Sequence, residues 1–97
     1  MIYSLGLSKN AKQDYDEIIR NALGHERPAL RRAYRQLNKE MSIDGPIKGT
    51  AASFNPNWRR LEDEDGWLSV IYDVTRAADD RYIRILHFVR AANDSHD

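Results

Sequence analysis

The sequence predicts an α+β domain: an N-terminal strand, an antiparallel helix pair, then a three-stranded antiparallel meander that completes a small sheet. Three observations lead there. Trp67-Leu68-Ser69-Val70-Ile71-Tyr72-Asp73-Val74 is the most strand-like run, rich in residues that fit a pleated, half-buried surface, and the turn dipeptide Asp65-Gly66 precedes it. A second apolar run, Tyr82-Ile83-Arg84-Ile85-Leu86-His87-Phe88-Val89, follows a short polar break and reads as its hairpin partner. Upstream, two stretches carry apolar residues at helical spacing, so each offers one stripe to bury against the sheet.

In chain order, Ile2 to Leu7 alternates loosely and reads as a short strand. Ser8 suits the N-cap of the first helix, where its hydroxyl takes a free amide. Ala11, Tyr15, Ile18, Ile19, Ala22 and Leu23 form the apolar stripe of that helix, with Asp14, Asp16 and Glu17 turned to water and Gly24 as the stop. Pro28 suits the first turn of a second helix, whose apolar face is Leu30, Ala33, Tyr34, Leu37 and Met41. Ile43 to Asn57 carries the Gly and Pro punctuation of a long loop. Trp58-Arg59-Arg60-Leu61 reads as a short strand and Glu62-Asp63-Glu64-Asp65-Gly66 as a solvated acidic turn. Alternation then puts Leu68, Val70, Tyr72 and Val74 on the helix side, and groups Ile83, Ile85, His87 and Val89 on one face of the last strand.

Bulk properties set limits. The 97 residues suit one small domain spanning 1–97, with 91–97 a small polar tail expected to fray. Lys+Arg and Asp+Glu both total 15, so bulk charge gives no pull toward nucleic acid or an anionic membrane. The absence of Cys excludes a disulfide framework, thiol catalysis and a Cys-containing zinc site. No apolar run nears the roughly 20 residues of a membrane span, and the start lacks the basic and long apolar regions of a signal peptide. A cytoplasmic location without membrane association is expected. Nothing suggests a cofactor: there is no phosphate-binding glycine loop, no nucleophile elbow, and no metal-ligand spacing among His25, His87 and His96.

Two basic groups are candidate binding surfaces. Arg27, Arg31, Arg35 and Lys39 stack along one side of the second helix at four-residue spacing, with Arg32 nearby. Such a ridge suits an acidic protein segment or a nucleic acid; it equally suits a solvated face offset by the acids of the first helix. Lys48, Arg59 and Arg60 lie beside Trp58 and Phe54, a mix that binds a nucleic-acid strand by phosphate contact and stacking. The alternative is that Trp58 packs at the edge of the core and the arginines dress a strand. His87 is the one side chain on the strands whose ordinary pKa suits proton transfer near neutrality, against the alternative of a hydrogen-bonded core histidine.

The whole pattern resembles the RelE/ParE superfamily, the toxins of bacterial type II toxin–antitoxin pairs. Leu7-Ser8-Lys9-Asn10-Ala11-Lys12-Gln13-Asp14-Tyr15-Asp16-Glu17-Ile18-Ile19 is similar to the ParE start, and Pro46-Ile47-Lys48-Gly49 to the loop before the second strand. Arg59-Arg60-Leu61 with Val70-Ile71-Tyr72 resembles the central strands, and Ile83 to Arg90 the last strand. The resemblance covers nearly the full length. It implies a cognate antitoxin as partner and one of two targets: DNA gyrase for ParE-like members, or the ribosome and mRNA for RelE-like endonucleases. On the nuclease reading Lys48, Arg60, His87 and Arg90 are the expected catalytic residues. Ser69 stands where the nucleases carry an Arg, Ala91 replaces a basic residue, and no Tyr follows in the tail. These departures favour a gyrase-binding toxin, with Arg27, Arg31, Arg35, Lys39, Arg59 and Trp58 as partner-binding residues, over an mRNA endonuclease. A partner-binding module without toxicity is the third reading.

Overall fold

The computed structural model describes residues 2–91. Its elements run β1 (Ser4–Leu7), α1 (Lys9–Asn21), α2 (Arg27–Asp44), β2 (Thr50–Ala52), β3 (Asn55–Glu62), β4 (Leu68–Asp73), α3 (Ala77–Asp80) and β5 (Tyr82–Arg90). The strands form one sheet in the order β1-β5-β4-β3-β2. β2 through β5 are antiparallel neighbours, and β1 joins β5 in parallel, so the sheet is mixed. This is the α+β arrangement expected. The frayed tail expected over 91–97 lies, beyond Ala91, outside the described residues.

The helix pair covers one sheet face. Leu30, Ala33, Leu37 and Met41 of α2 and Ala11 of α1 are buried against Leu68, Val70, Tyr72, Ile83, Ile85 and Phe88. Each fully buried aliphatic side chain here contributes on the order of 1.5–3 kcal/mol. α1 starts as expected: the Ala11 amide donates to Ser8 Oγ at 3.1 Å, and the Ser8 hydroxyl donates to the Leu86 carbonyl at 3.0 Å. It ends before Gly24, at Ala22 in extended conformation. Its last carbonyls are closed by Arg27, whose Nε donates to Ile19 O at 3.0 Å and Nη2 to Arg20 O at 3.4 Å. A guanidinium satisfies both orphan acceptors and the negative end of the helix dipole, so no left-handed glycine is required.

The expected loop from Ile43 to Asn57 is largely ordered structure. α2 runs on to Asp44, β2 forms, and β3 starts at Asn55. Pro56 had argued against a strand, yet it sits where β3 has a neighbour on one side only: β4 pairing begins at Trp58 and β2 pairing ends at Asn55. Gly49 joins α2 to β2 at φ 70°, and a Cβ there would lie 2.2 Å from the Arg60 carbonyl. Only glycine fits that approach. The connection is fixed from below by Tyr72, whose hydroxyl lies 2.8 Å from Gly45 O and 3.0 Å from Lys48 O, and from the side by Arg59.

Two further differences concern the hairpins. The acidic turn is not wholly solvated: Asp63 is buried, its Oδ1 accepting the Trp67 and Leu68 amides at 2.6 and 2.7 Å and its Oδ2 the Asp65 amide at 3.1 Å. A carboxylate accepting three amides builds the turn it sits in. In β5 the register shifts between Ile71 and Tyr72 of β4: Ile71 opposes His87 but Tyr72 opposes Ile85. Leu86 is the extra residue of a β-bulge. Alternation therefore breaks there. Ile83 and Ile85 face the helices, then Phe88 does, and His87 and Val89 turn to the open face. The expected grouping of His87 with Ile83 and Ile85 fails for this reason.

Burial pushes the Tyr72 hydroxyl up to about 12, because ionising it would strand a charge under the loop; Arg59 beside it pulls weakly the other way. A raised phenol pKa gives stability that is whole below about pH 10, the unfolded value, and is lost as pH climbs through about 12. Tyr72→Phe is expected to lower unfolding free energy by about 1–3 kcal/mol at neutral pH, since the buried Gly45 carbonyl loses this donor while Lys48 O keeps Arg59. Urea denaturation checks this, and the variant should also lack part of the wild-type loss of stability above about pH 10.

Candidate functional site on the open sheet face

With the helices on one side, the other face of the sheet is uncovered by any described element. Register determines what it presents. Thr50, Arg60, Ile71 and His87 lie in one row across β2, β3, β4 and β5. Glu62, Ser69 and Val89 form the row on one side of it, and Trp58, Asp73 and Arg84 the row on the other. Arg60 and His87 are two strands apart, about 10 Å between backbones. Arg60 Nη2 lies 3.4 Å from the hydroxyl of the buried Ser69.

His87 is held from the sheet edge. β1 ends at Leu7, opposite Ile85, so beyond that point β5 has no strand on that side. α1 lies there instead, and Asp14 supplies what a strand would: its Oδ2 accepts the Phe88 amide at 3.2 Å. The same oxygen lies 2.9 Å from His87 Nδ1. A carboxylate only accepts, so this pairing favours the tautomer with Nδ1–H donating to Asp14 and Nε2 left as the acceptor. The arrangement has the parts of a carboxylate–imidazole dyad, in the same row as Arg60 with Ile71 between them. The sequence reading placed Asp14 in water; the two residues are 73 apart, and no local pattern links them.

The remaining expected residues are dispersed. Lys48 is exposed in the α2–β2 connection, and its carbonyl accepts from Tyr72 and Arg59. Arg90 opposes Leu68 and so faces the helix side; its Nη2 lies 2.9 Å from Glu26 Oε2, and its guanidinium sits 5.6 Å from the centre of the Trp67 ring. Arg90 is thus set apart from Arg60 and His87. Arg59 faces the helix side too, donating from Nε to Lys48 O at 2.6 Å and from Nη2 to Gly49 O at 2.9 Å. Arg27 is engaged with α1. Trp58 is on the open face, edge-on to Phe54 at 5.3 Å, and Phe54 is 68% exposed at the β2–β3 hairpin tip.

Of the ridge on α2, Arg31, Arg35 and Lys39 are exposed, and no ion pair to the acids of α1 forms among the described residues. Beneath Arg31 and Arg35 the Tyr15 and Tyr34 rings stack at 4.2 Å, and both tilt against Phe88. Burial chiefly, with Tyr34 alongside, raises the Tyr15 hydroxyl pKa, while Arg31 and Arg35 draw it back. No group of His, Asp or Glu among the described residues is placed to hold a metal ion. No helix among them is long and apolar enough to cross a membrane.

Glu26 ties the helix hairpin to the end of β5. The Leu23 amide first, then the Arg90 guanidinium, hold its carboxyl below the usual glutamate range. Both partners favour the charged form, so this contribution is present above the ordinary glutamate pKa of about 4.3 and fades as pH falls through the lowered folded value. Glu26→Gln is expected to make the urea midpoint fall less steeply below about pH 5 than it does in the wild type. Equal slopes for the two proteins would dismiss the pairing as a contributor.

No protein-family model and no curated protein sequence matches the chain. Solved structures do. The chain is similar to the chromosomal ParDE toxin–antitoxin system from P. aeruginosa, with TM-score 0.70 and 22% identity, covering 93% of this chain and 97% of that one. It is similar to the toxin–antitoxin complex RelBE2 from Mycobacterium tuberculosis, with TM-score 0.68 and 12% identity, covering 95% and 94%. It is also similar to the isolated E. coli RelE toxin, with TM-score 0.61 and 13% identity, covering 96% and 88%. The chain has the fold shared by the RelE and ParE toxins.

Proposed function

We propose that this protein is the toxin of a type II toxin–antitoxin pair, acting in the cytoplasm as a single domain, and that it arrests growth by binding and inhibiting DNA gyrase until a cognate antitoxin neutralises it. The near end-to-end match to a ParDE structure supports the toxin reading. The dispersal of the nuclease candidates supports gyrase over mRNA. Arg90 is held by Glu26 on the helix side, Ser69 is a buried hydroxyl where an endonuclease of this fold carries a guanidinium, and only Arg60 and His87 share a row. Phosphodiester cleavage needs donors aimed at the charge that develops on phosphorus, and removing one typically costs about two to three orders of magnitude in rate. A binding toxin has no such requirement. The exposed Arg31, Arg35 and Lys39 ridge is its contact surface.

A ribosome-dependent mRNA endonuclease is the second reading, and one observation favours it: the Asp14–His87 pair, which leaves Nε2 free to move a proton in the row that also carries Arg60. Inducing the protein in bacteria should stop growth, and the purified protein should inhibit gyrase supercoiling. Arg31→Glu should abolish that inhibition, while His87→Ala and Arg60→Ala leave it unchanged. Cleavage of mRNA on ribosomes, lost in His87→Ala or Arg60→Ala with the fold intact, would replace gyrase by the second reading. Unimpaired growth at good soluble expression would leave a partner-binding module without toxicity.

A further inference from the structure

One recess among the described residues serves neither reading. It has a volume of about 470 Å³, within the range of small-molecule sites, and lies on the open face at the β1–β5–β4 end. It is one row further along the sheet than Arg60 and His87. Leu7 and Ser8 form one wall, with Asp73, Arg76, Tyr82 and Arg84 around it.

Three features of this recess act together. The Tyr82 ring lies across β1 over Gly6: a Cβ on Gly6 would come within 1.8 Å of the Tyr82 hydroxyl oxygen. Gly6 thus provides the space for the phenol end of Tyr82, a residue still 38% exposed. Beside it, Arg84 directly opposes Asp73 across β5 and β4, yet the two form no ion pair, and no described residue accepts from the Arg84 guanidinium. Arg76 contributes a second guanidinium, with Nη2 bound to Asp80 at 2.7 Å. Asp73, finally, has one oxygen committed and one uncommitted: Oδ1 accepts the amide and hydroxyl of Thr75, and no described group donates to Oδ2.

An aromatic face, an unpaired guanidinium fork with a second one nearby, and a lone acceptor carboxylate oxygen define a ligand with three matching parts. It has a flat ring to stack on Tyr82, an anion to take the fork of Arg84, and a hydrogen-bond donor for Asp73. We propose that this recess binds a nucleoside monophosphate: the base on Tyr82, the phosphate on Arg84 and Arg76, and an exocyclic amino group of the base donating to Asp73 Oδ2. Adenine, cytosine and guanine carry that amino group; uracil does not, and would set a carbonyl against the carboxylate. The site is independent of the gyrase and mRNA readings, because it uses none of their residues.

The test is an NMR titration of the protein with AMP, UMP, adenosine and inorganic phosphate. AMP should shift the amides of Leu7, Asp73, Tyr82 and Arg84 at lower concentration than phosphate or adenosine alone, and about tenfold lower than UMP. Arg84→Gln, a change at an exposed side chain, should weaken AMP about tenfold, the loss of one charge-assisted contact. Asp73→Asn should narrow the gap between AMP and UMP. A single-stranded hexanucleotide identifies the source of the nucleotide. Shifts at the same residues at lower concentration than AMP assign the recess to a nucleotide within a strand, and equal or weaker binding assigns it to the free nucleotide. The proposal is overturned if AMP binds no better than phosphate, or if Arg84→Gln and Tyr82→Ala, both folded by thermal melt, bind AMP as the wild type does.

Discussion

Phe88 has to reach the Tyr15–Tyr34 stack, and much of the open face follows from that requirement. Phe88 is 3% exposed, and large aromatic side chains at such positions are worth about 3–5 kcal/mol. Ile83 and Ile85 are buried on the same side of β5, so a strand of regular alternation would bring the next inward position to His87. The bulge at Leu86 resolves the conflict by adding one residue. The phenyl ring goes to the core, the imidazole goes out, and Arg90 goes in with Phe88 to meet Glu26. A core-packing constraint thus sets which side chains the open face offers a partner.

The edge of β5 obeys the same economy. β1 is only long enough to pair through Ile85, and an unpaired strand edge invites association. α1 closes the rest, with Ser8 taking the Leu86 carbonyl and Asp14 the Phe88 amide. Having one oxygen on the backbone amide, Asp14 is also in reach of His87. One carboxylate on a helix therefore covers an edge and fixes an imidazole, and the open face gains an ordered histidine as a by-product of strand protection.

How much of this the sequence disclosed depends on the range of the interactions. Local chemistry was legible. Ser8 as a cap, Pro28 at the start of α2, the stripe Leu30, Ala33, Leu37 and Met41, and the inward set Leu68, Val70 and Tyr72 all follow from spacing within one element. The Gly24 stop failed because the side chain of Arg27, folded back across the turn between the helices, closes α1. Strand β2 was missed because Thr50-Ala51-Ala52 has no apolar alternation and owes its form to pairing with β3. The single turn at α3, with Arg81 at φ 53°, carries no glycine to mark it. At the site, Arg60 and Trp58 stand on the open face by simple alternation from β3. The positions of His87 and Arg90 depend on one inserted residue that alternation cannot locate, and Asp14 depends on packing between residues at opposite ends of the chain. The buried Asp63 and the anchoring roles of Arg59 and Tyr72 are likewise products of tertiary approach.

The bulge turns His87 outward and under Asp14. Long-range 15N–1H NMR of the imidazole in wild type and Asp14→Asn tests it most directly. In its neutral form His87 should hold its proton on Nδ1, bonded to the carboxylate, with Nε2 as the acceptor, and Asp14→Asn should shift this tautomer balance and lower the protection of the Phe88 amide against exchange. A neutral imidazole in the wild type with its one proton on Nε2, and a Phe88 amide unaffected by the substitution, would contradict it.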